Sequence, residues 1–429
     1  MSLYSSMATS ISGLEANGQK LSVVSDNIVN ANTHGYKAAR GEFQNFVAQN
    51  LLTDPGQQIG RGVTMAGVTT LFTQGAISTT DRNTDVAVNG NGFFVLRDGN
   101  NGTTFTRDGS FRFDRHGWLT TLGGQRVQAY QANSGGTITG KLADVRIPHD
   151  TMPAKQSHRI QIHANLDARA KVHDMFDLER PQETAQFSTA TQMYDSLGNQ
   201  HGISMFFNKT DDGTWEWTAM ADGGELESGK SGEMLTVARG LLVFDSKGRL
   251  EYSDQQLVDT TFTNGAVPDQ KLVFDFGDAV DDGGTGVKGS TQYGAKNAVF
   301  RNVQDGHASG VLLDVNIDDE GVISGVYSNG ASKALGQMAI ARFEATDRLR
   351  KIGKNQFRET VESGGPLVGR ANTNGRGTVV TRALERSNVD LAEEFVEMLR
   401  AQRGFQASAK SIHTANDMLD EVIALGARR

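Results

Sequence analysis

The sequence predicts a mainly β protein with an α-helix at each end. Two observations carry this. Apolar residues recur in a heptad pattern over roughly the first and last thirty residues. Between them, apolar and polar residues alternate and are interrupted by Asn-Gly, Asp-Gly and Gly-Gly pairs, the mark of strands joined by tight turns. The chain has 429 residues with 50 Gly and only 6 Pro, a glycine excess that suits many turns.

At the N-terminal end Tyr4, Met7, Ile11, Leu14, Gly18, Leu21, Ser25 and Ile28 are spaced three and four apart, which is an a/d seam with small or polar gaps. Glu15 and Lys20 fall off it. At the C-terminal end Leu391, Phe395, Met398, Gln402, Phe405, Ala409, Ile412, Asn416, Leu419 and Ile423 follow the same alternation. Ser387 with Asp390 three residues on fits an extended capping box at its start, and Gly426 stands where a C-cap glycine is expected. The apolar area on either seam is small against the entropy of ordering the helix. The ends are therefore expected to gain order from neighbouring copies, as in a self-assembling polymer.

The interior reads as β structure. Residues 102–121 alternate about Asp-Gly and His-Gly turns, and residues 311–327 form two short strands around an acidic turn. Residues 150–292 are more polar and turn-rich, and read as a separate β domain inserted into an inner one. The expected organisation is paired terminal helices at 1–30 and 388–429, linker regions at 31–75 and 366–387, an inner β domain at 76–149 and 293–365, and the inserted domain at 150–292. Gly-rich stretches at 56–62 and 364–377 read as soft connectors.

Composition narrows the function. The net charge is -8, so there is no overall basic excess to hold nucleic acid. No apolar run approaches the roughly 20 residues of a membrane span. Cysteine is absent, which removes disulfides, thiolate metal ligands and a cysteine nucleophile. The N-terminal sequence lacks the basic and apolar regions of a cleaved signal, so any export is expected to leave that end uncut.

Few motifs suggest catalysis. Gly224 to Ser231 matches the G-x-x-x-x-G-K-S spacing of a phosphate loop. Gly232 follows at once, however, and Gly240 leaves no room for the amphipathic helix such a loop requires. Glu225 and Glu227 would repel phosphate. We read it as a glycine-rich hairpin loop, with a nucleotide hydrolase as the remote alternative. Gly284 to Gly289 matches G-x-G-x-x-G without a following helix and reads as a turn. Asp314, Asn316 and Asp318 open like a calcium loop, but Asp319 and Gly325 replace the required Gly and Glu. Trp215 and Trp217 alternate on one strand face and read as packing. The histidines form no metal-ligand pair. No catalytic residue, cofactor or metal ligand is expected.

The ends carry a resemblance. Ser25 to Lys37 (SDNIVNANTHGYK) is similar to the N-terminal motif of the bacterial flagellar rod and hook family, matched at Asn27, Asn30, Asn32, Thr33, Gly35, Tyr36 and Lys37. Val29 and His34 depart from it. Phe72 to Gly75, Thr79 and Asp85 to Val95 resemble the family's next block, and Tyr327 to Gly330 resembles its turn. Leu384 to Leu391, including Ser387, Asn388 and Asp390, and Ala401 to Ala407, including Gln402 and Arg403, are similar to its C-terminal signature. Phe405 and Ser408 are mild departures. The likeness covers about residues 1–130 and 293–429.

Within that family the large insertion favours the hook type over a distal-rod type with an enlarged insertion. The resemblance implies a structural homopolymer, not an enzyme: a curved, flexible tube joining rod to filament and transmitting motor torque as a universal joint. It implies a radially layered subunit, with the terminal helices paired as a coiled coil around a channel and the β domains outward. The implied partners are other copies, the distal rod at the base, the hook cap and hook-filament junction proteins at the tip, and the flagellar type III export apparatus. The implied location is the extracellular flagellum, with neither nucleic acid nor membrane insertion involved.

Overall fold

The computed structural model describes residues 3–46, 49–50, 58–59, 61–99, 102–133, 135–147, 151–172, 176–258 and 260–426. It is mostly β with a helix near each end: α1 spans Leu3–Val29 and α2 spans Leu391–Gly426. Among the described residues, no helix is long and apolar enough to cross a membrane. The chain divides into two compact units, one formed by Met1–His149, Asp314–Val326 and Ser332–Arg429, the other by Asp150–Leu313 and Tyr327–Ala331.

The first unit is built on a 12-stranded sheet. Along its centre Ser332–Arg342, Arg126–Ala132, Phe93–Arg97, Thr103–Thr106 and Gln356–Arg358 lie side by side and antiparallel. Phe93, Phe94, Val95 and Leu96 are all buried, so this strand is a continuous apolar run covered on both faces rather than an alternating one. Phe93 meets Phe72, Phe343 and Phe357 edge-on at 5.5–5.9 Å, the geometry aromatic quadrupoles favour. Asp108–Gly109 does not form the expected turn. A Cβ at Gly109 would lie 1.7 Å from the Val86 carbonyl oxygen, so this glycine permits a close backbone approach.

The two connector regions are more ordered than the sequence suggests. Ala39–Asn45 pairs with Val63–Thr70, and Leu367–Arg370, Thr378–Thr381 and Ala383–Glu385 are all sheet strands. Gly377 packs on the Asn89 carbonyl, so close approach accounts for it better than softness. Of the other expected connector, Gly56 and Gly60 lie outside the described residues.

The second unit encloses one core between two sheets. Five antiparallel strands run in chain order, from Phe187–Tyr194 through Gln200–Asp211, Thr214–Asp222 and Met234–Phe244 to Leu250–Leu257. The smaller sheet holds Arg159–Asn165 between Val273–Asp275 and Ala298–Gln304. Residues 293–313, expected in the inner domain, therefore belong here, because the strand at 298–304 finds its hydrogen-bond partner at 159–165. Trp215 and Trp217 are fully buried, with Trp217 5.2 Å from Phe274 and 5.0 Å from Phe276. They pack, as alternation on one face implied.

Candidate assembly interface and its anchor

α1 and α2 lie side by side, and small residues make the contact. Ala16 and Val24 of α1 and Ala401 and Ala415 of α2 are buried. A Cβ on Gly404 would come 2.7 Å from the Asn17 side chain, and one on Gly13 would come 3.1 Å from Ser408 Oγ. Two polar links cross the pair: Lys20 Nζ to Glu397 Oε2 at 2.5 Å and Asn27 Nδ2 to Glu394 Oε1 at 2.8 Å. On another side of α1, Ser12 Oγ accepts from Val63 N–H at 3.2 Å, fixing the 39–70 hairpin against the helix.

The predicted seams are shifted by this geometry. The covered positions of α2 are 394, 397, 398, 401, 404, 408, 409, 412, 415 and 419, a stripe that keeps the helical repeat. Met398, Ala409, Ile412 and Leu419 belong to both seams. Leu391, Phe395, Gln402, Phe405, Asn416 and Ile423 are exposed, Phe395 at 50% and Ile423 at 66%. In α1, Met7, Leu14, Leu21 and Ile28 are half-buried, while Ile11 is exposed. Lys20, expected off the seam, lies in it. The pattern favoured large apolar residues, but close packing selected glycine, alanine and serine. Gln402 and Asn416 thus stand outside the contact between these two helices, whereas an ideal Cβ on Gly18 would lie 3.9 Å from the Phe405 ring.

Asp390 caps α2: its Oδ1 accepts from Ala392 and Glu393 N–H at 2.8 and 3.3 Å. The capping box expected from Ser387 is replaced by this simpler cap, and Ser387 Oγ accepts from Val389 N–H outside the helix. α2 continues to Gly426, and residues 427–429 lie outside the described residues.

The family-motif residues meet in an anchor below the helix pair. Asn27 reads the backbone of Ala39 in both directions, donating to its carbonyl at 2.8 Å and accepting from its N–H at 2.9 Å. Tyr36 donates to Asp26 Oδ2 at 3.0 Å. Asn388 accepts from Ala38 N–H at 2.7 Å and donates to the Leu71 carbonyl at 2.9 Å. Asn30 and Thr33 close the turn after α1. Gly35 has a φ of +67°, and a Cβ there would lie 2.5 Å from Asp108 N, so glycine is required. Asn32, Gln402 and Arg403 are exposed. Val29 is 80% exposed, so its departure from the family pattern disturbs no packing within the single chain.

Lys37 was legible as a motif residue, but its partners were not. Its Nζ lies 2.6 Å from Glu385 Oε1 and 2.7 Å from the Thr73 carbonyl. Glu385 also accepts from Gly75 N–H at 2.9 Å, and Arg107 Nη1 reaches its other oxygen at 3.3 Å. The side chains of Lys37 and Glu385 are 0% exposed and that of Arg107 is 4% exposed. Burial lowers the pKa of both cations, against the attraction of Glu385. A charge directly after two apolar residues, at the end of Ala383–Glu385, was the one local signal for Glu385. Arg107 carried none, because its role arises from a strand distant in sequence.

Along the helix pair, burial raises the Glu394 carboxyl, while the Lys20 hydrogen bond leads the causes that lower that of Glu397.

The phosphate-loop match is a hairpin connection. Asp222 Oδ1 occupies its amides, accepting from Gly224 N–H at 2.8 Å and Gly232 N–H at 3.3 Å. The next element is the strand Met234–Phe244 rather than a helix. Of the calcium-like trio, Asp314 accepts from Asn83 and Asp318 caps its own turn. No group of three or more potential metal ligands occurs among the described residues.

Four family models match the chain. They are described as flagella basal body rod protein over residues 7–37, flagellar hook protein FlgE/F/G D1 domain over 87–165, flagellar basal body protein FlaE D2 domain over 165–307, and flagellar basal body rod FlgEFG protein C-terminal over 380–425. Together with the β fold and the two helices, they define a flagellar rod-and-hook type protein. The chain is 32% identical to the flagellar hook protein FlgE of Treponema pallidum, over 98% of this chain and 99% of that one. It is also 32% identical to that of Salmonella typhimurium, over 98% and 100%. The chain belongs to the flagellar hook protein FlgE family. That family is structural, not enzymatic, which removes the nucleotide-hydrolase reading. A crystal structure of Helicobacter pylori flagellar hook protein FlgE2 shares the fold, with a TM-score of 0.52 at 15% identity over 72% of this chain and all of that one.

Proposed function

We propose that this hook subunit polymerises through its terminal helices into a curved, flexible tube that joins rod to filament and passes motor torque as a universal joint. The observation that carries the reading is the face of α2 beside the α1 contact. Leu391, Phe395, Val396 and Leu399 all stand exposed there in the first turns of the helix, each by 43% or more. An exposed apolar cluster of this kind is costly in water, and neighbouring copies would cover it. The small-residue seam holds the pair within one subunit, and the apolar cluster is left for assembly.

On this reading the helix pair lies innermost and the β units lie outward. The helices are short of apolar contacts alone and gain order in the polymer. Export proceeds through the flagellar type III apparatus without a cleaved signal. The distal rod contacts the base of the tube, and the cap and hook-filament junction proteins contact its tip. Deleting residues 391–429 tests the central claim. The truncated chain should keep the Trp fluorescence and cooperative melting of its β units and form no tubes by electron microscopy. Normal curved tubes from it would refute the assignment.

A further inference from the structure

Asn-Gly pairs are turn formers, but they are also chemically labile. The glycine nitrogen, once its proton is withdrawn, attacks the asparagine Cγ. The Cγ–Nδ2 bond breaks and ammonia leaves with a proton. Water then opens the resulting succinimide to aspartate or isoaspartate. The balance is asparagine plus water giving aspartate plus ammonia, with no redox change. The step needs a glycine N–H free of an acceptor and a side-chain amide free to swing onto it. Six Asn-Gly steps lie wholly within the described residues, and the fold treats them differently.

Four are closed. Asn17 lies in α1 and donates to the Gly13 carbonyl at 2.7 Å. Asn329 uses both ends of its amide, on Ala331 N–H and the Ala308 carbonyl, while Gly330 N–H donates to the Tyr327 carbonyl. Gly92 is buried beside Ile340, and the Asn91 carbonyl is held by Gly377 N–H at 2.6 Å, so the backbone of this step is pinned. At Asn89, one residue guards both reacting groups. Gln74 donates to Asn89 Oδ1 at 3.1 Å and accepts from Gly90 N–H at 2.9 Å.

Two are open. Asn264–Gly265 and Asn374–Gly375 are exposed, and neither glycine N–H donates to an acceptor among the described residues. The Asn264 amide touches only Thr263 Oγ1, at 3.3 Å. At Asn374 the main-chain carbonyl accepts from Arg342 at 3.2 Å, and its side-chain amide has no hydrogen-bond partner among the described residues. We propose that Asn264 and Asn374 are sites of spontaneous deamidation, and that Gln74 is a protecting residue that withholds Asn89 from the same reaction. A carboxylate formed at 374 would arise beside the Arg342 guanidinium, adding negative charge and a new ion pair to the turn.

The test is peptide mass spectrometry of the purified full chain after incubation in mildly alkaline buffer, with isoaspartate detection. In the folded chain, Asn264 and Asn374 should convert roughly tenfold or more faster than Asn17, Asn89 and Asn329, since each protected site must first give up its hydrogen bonds. In denaturant the five rates should converge. Gln74→Ala should raise the Asn89 rate toward that of Asn264. Gln74→Glu, which keeps an acceptor for Gly90 N–H, should raise it less, and circular dichroism would report that both variants are folded. Equal rates at all five sites in the folded chain, or an Asn89 rate unmoved by both folded variants, would overturn the proposal.

Discussion

Glu385 is the residue on which the junction of the first unit depends. It is buried, it receives Lys37, Arg107 and the Gly75 amide, and its own carbonyl accepts from Gly35 N–H at 2.8 Å. Truncating one member of a buried ionic group leaves the others without a counter-charge, which is far more costly than losing a surface pair. Glu385→Ala should therefore destabilise the first unit by roughly 3–5 kcal/mol, read from its denaturant midpoint. A change under about 1 kcal/mol would mean that water reaches the triad. At this scale the sequence marked Lys37, Tyr36, Asn27 and Asn388 as motif positions. It could not show that one side chain, 348 residues from Lys37, completes the set.

At the scale of elements, α2 presents two faces that respond differently to substitution. Ala401 is buried against α1, so Ala401→Leu forces extra volume into a close contact and should cost roughly 1–3 kcal/mol in the melting of the helix pair. Phe395→Asp falls on the exposed cluster. It should leave monomer stability within about 0.5 kcal/mol and still abolish tube formation, as judged by sedimentation and electron microscopy. Polymerisation by Phe395→Asp at the normal threshold would exclude that face from assembly. The helices and their heptad spacing were legible in the sequence because periodicity is local. The register was not, because it depends on how closely two backbones approach, and glycine at 13 and 404 allows an approach that large side chains would forbid.

At the scale of the whole molecule, acid should act on the second unit through defined carboxylates. Burial pushes Asp195 up, but hydrogen bonds from Asn199, His201 and Leu197 together bring it below the ordinary aspartate range. Asp245 is lowered chiefly by the Arg249 N–H, and Asp305, despite its burial, by the N–H groups of Arg159 and His158 and by Lys155. Carboxyls depressed in the folded state contribute stability that is fully present above their unfolded pKa, about 3.9. That contribution is lost as pH falls through the lower folded values. Thermal melts followed by Trp fluorescence should therefore hold steady toward pH of about 5 and drop below about 4. Asp195→Asn should flatten that drop. An unchanged acid limb in that variant would remove Asp195 from the account.

By itself the sequence determined the classes of element, the absence of cysteine chemistry, the family motifs at both ends and the hairpin nature of the loop at 224–231. All of these rest on local pattern, on composition or on short-range turn chemistry. The tertiary structure decided which strands pair, placing 298–304 beside 159–165, and it turned supposed soft connectors into sheet strands. It also set which stripe of each terminal helix faces its mate and which remains for other copies. The physical reason is the same in each case. Pairing and register are fixed by long-range fit between surfaces, by how closely backbones approach and by which buried charges find a partner. None of these is written within a single stretch of chain.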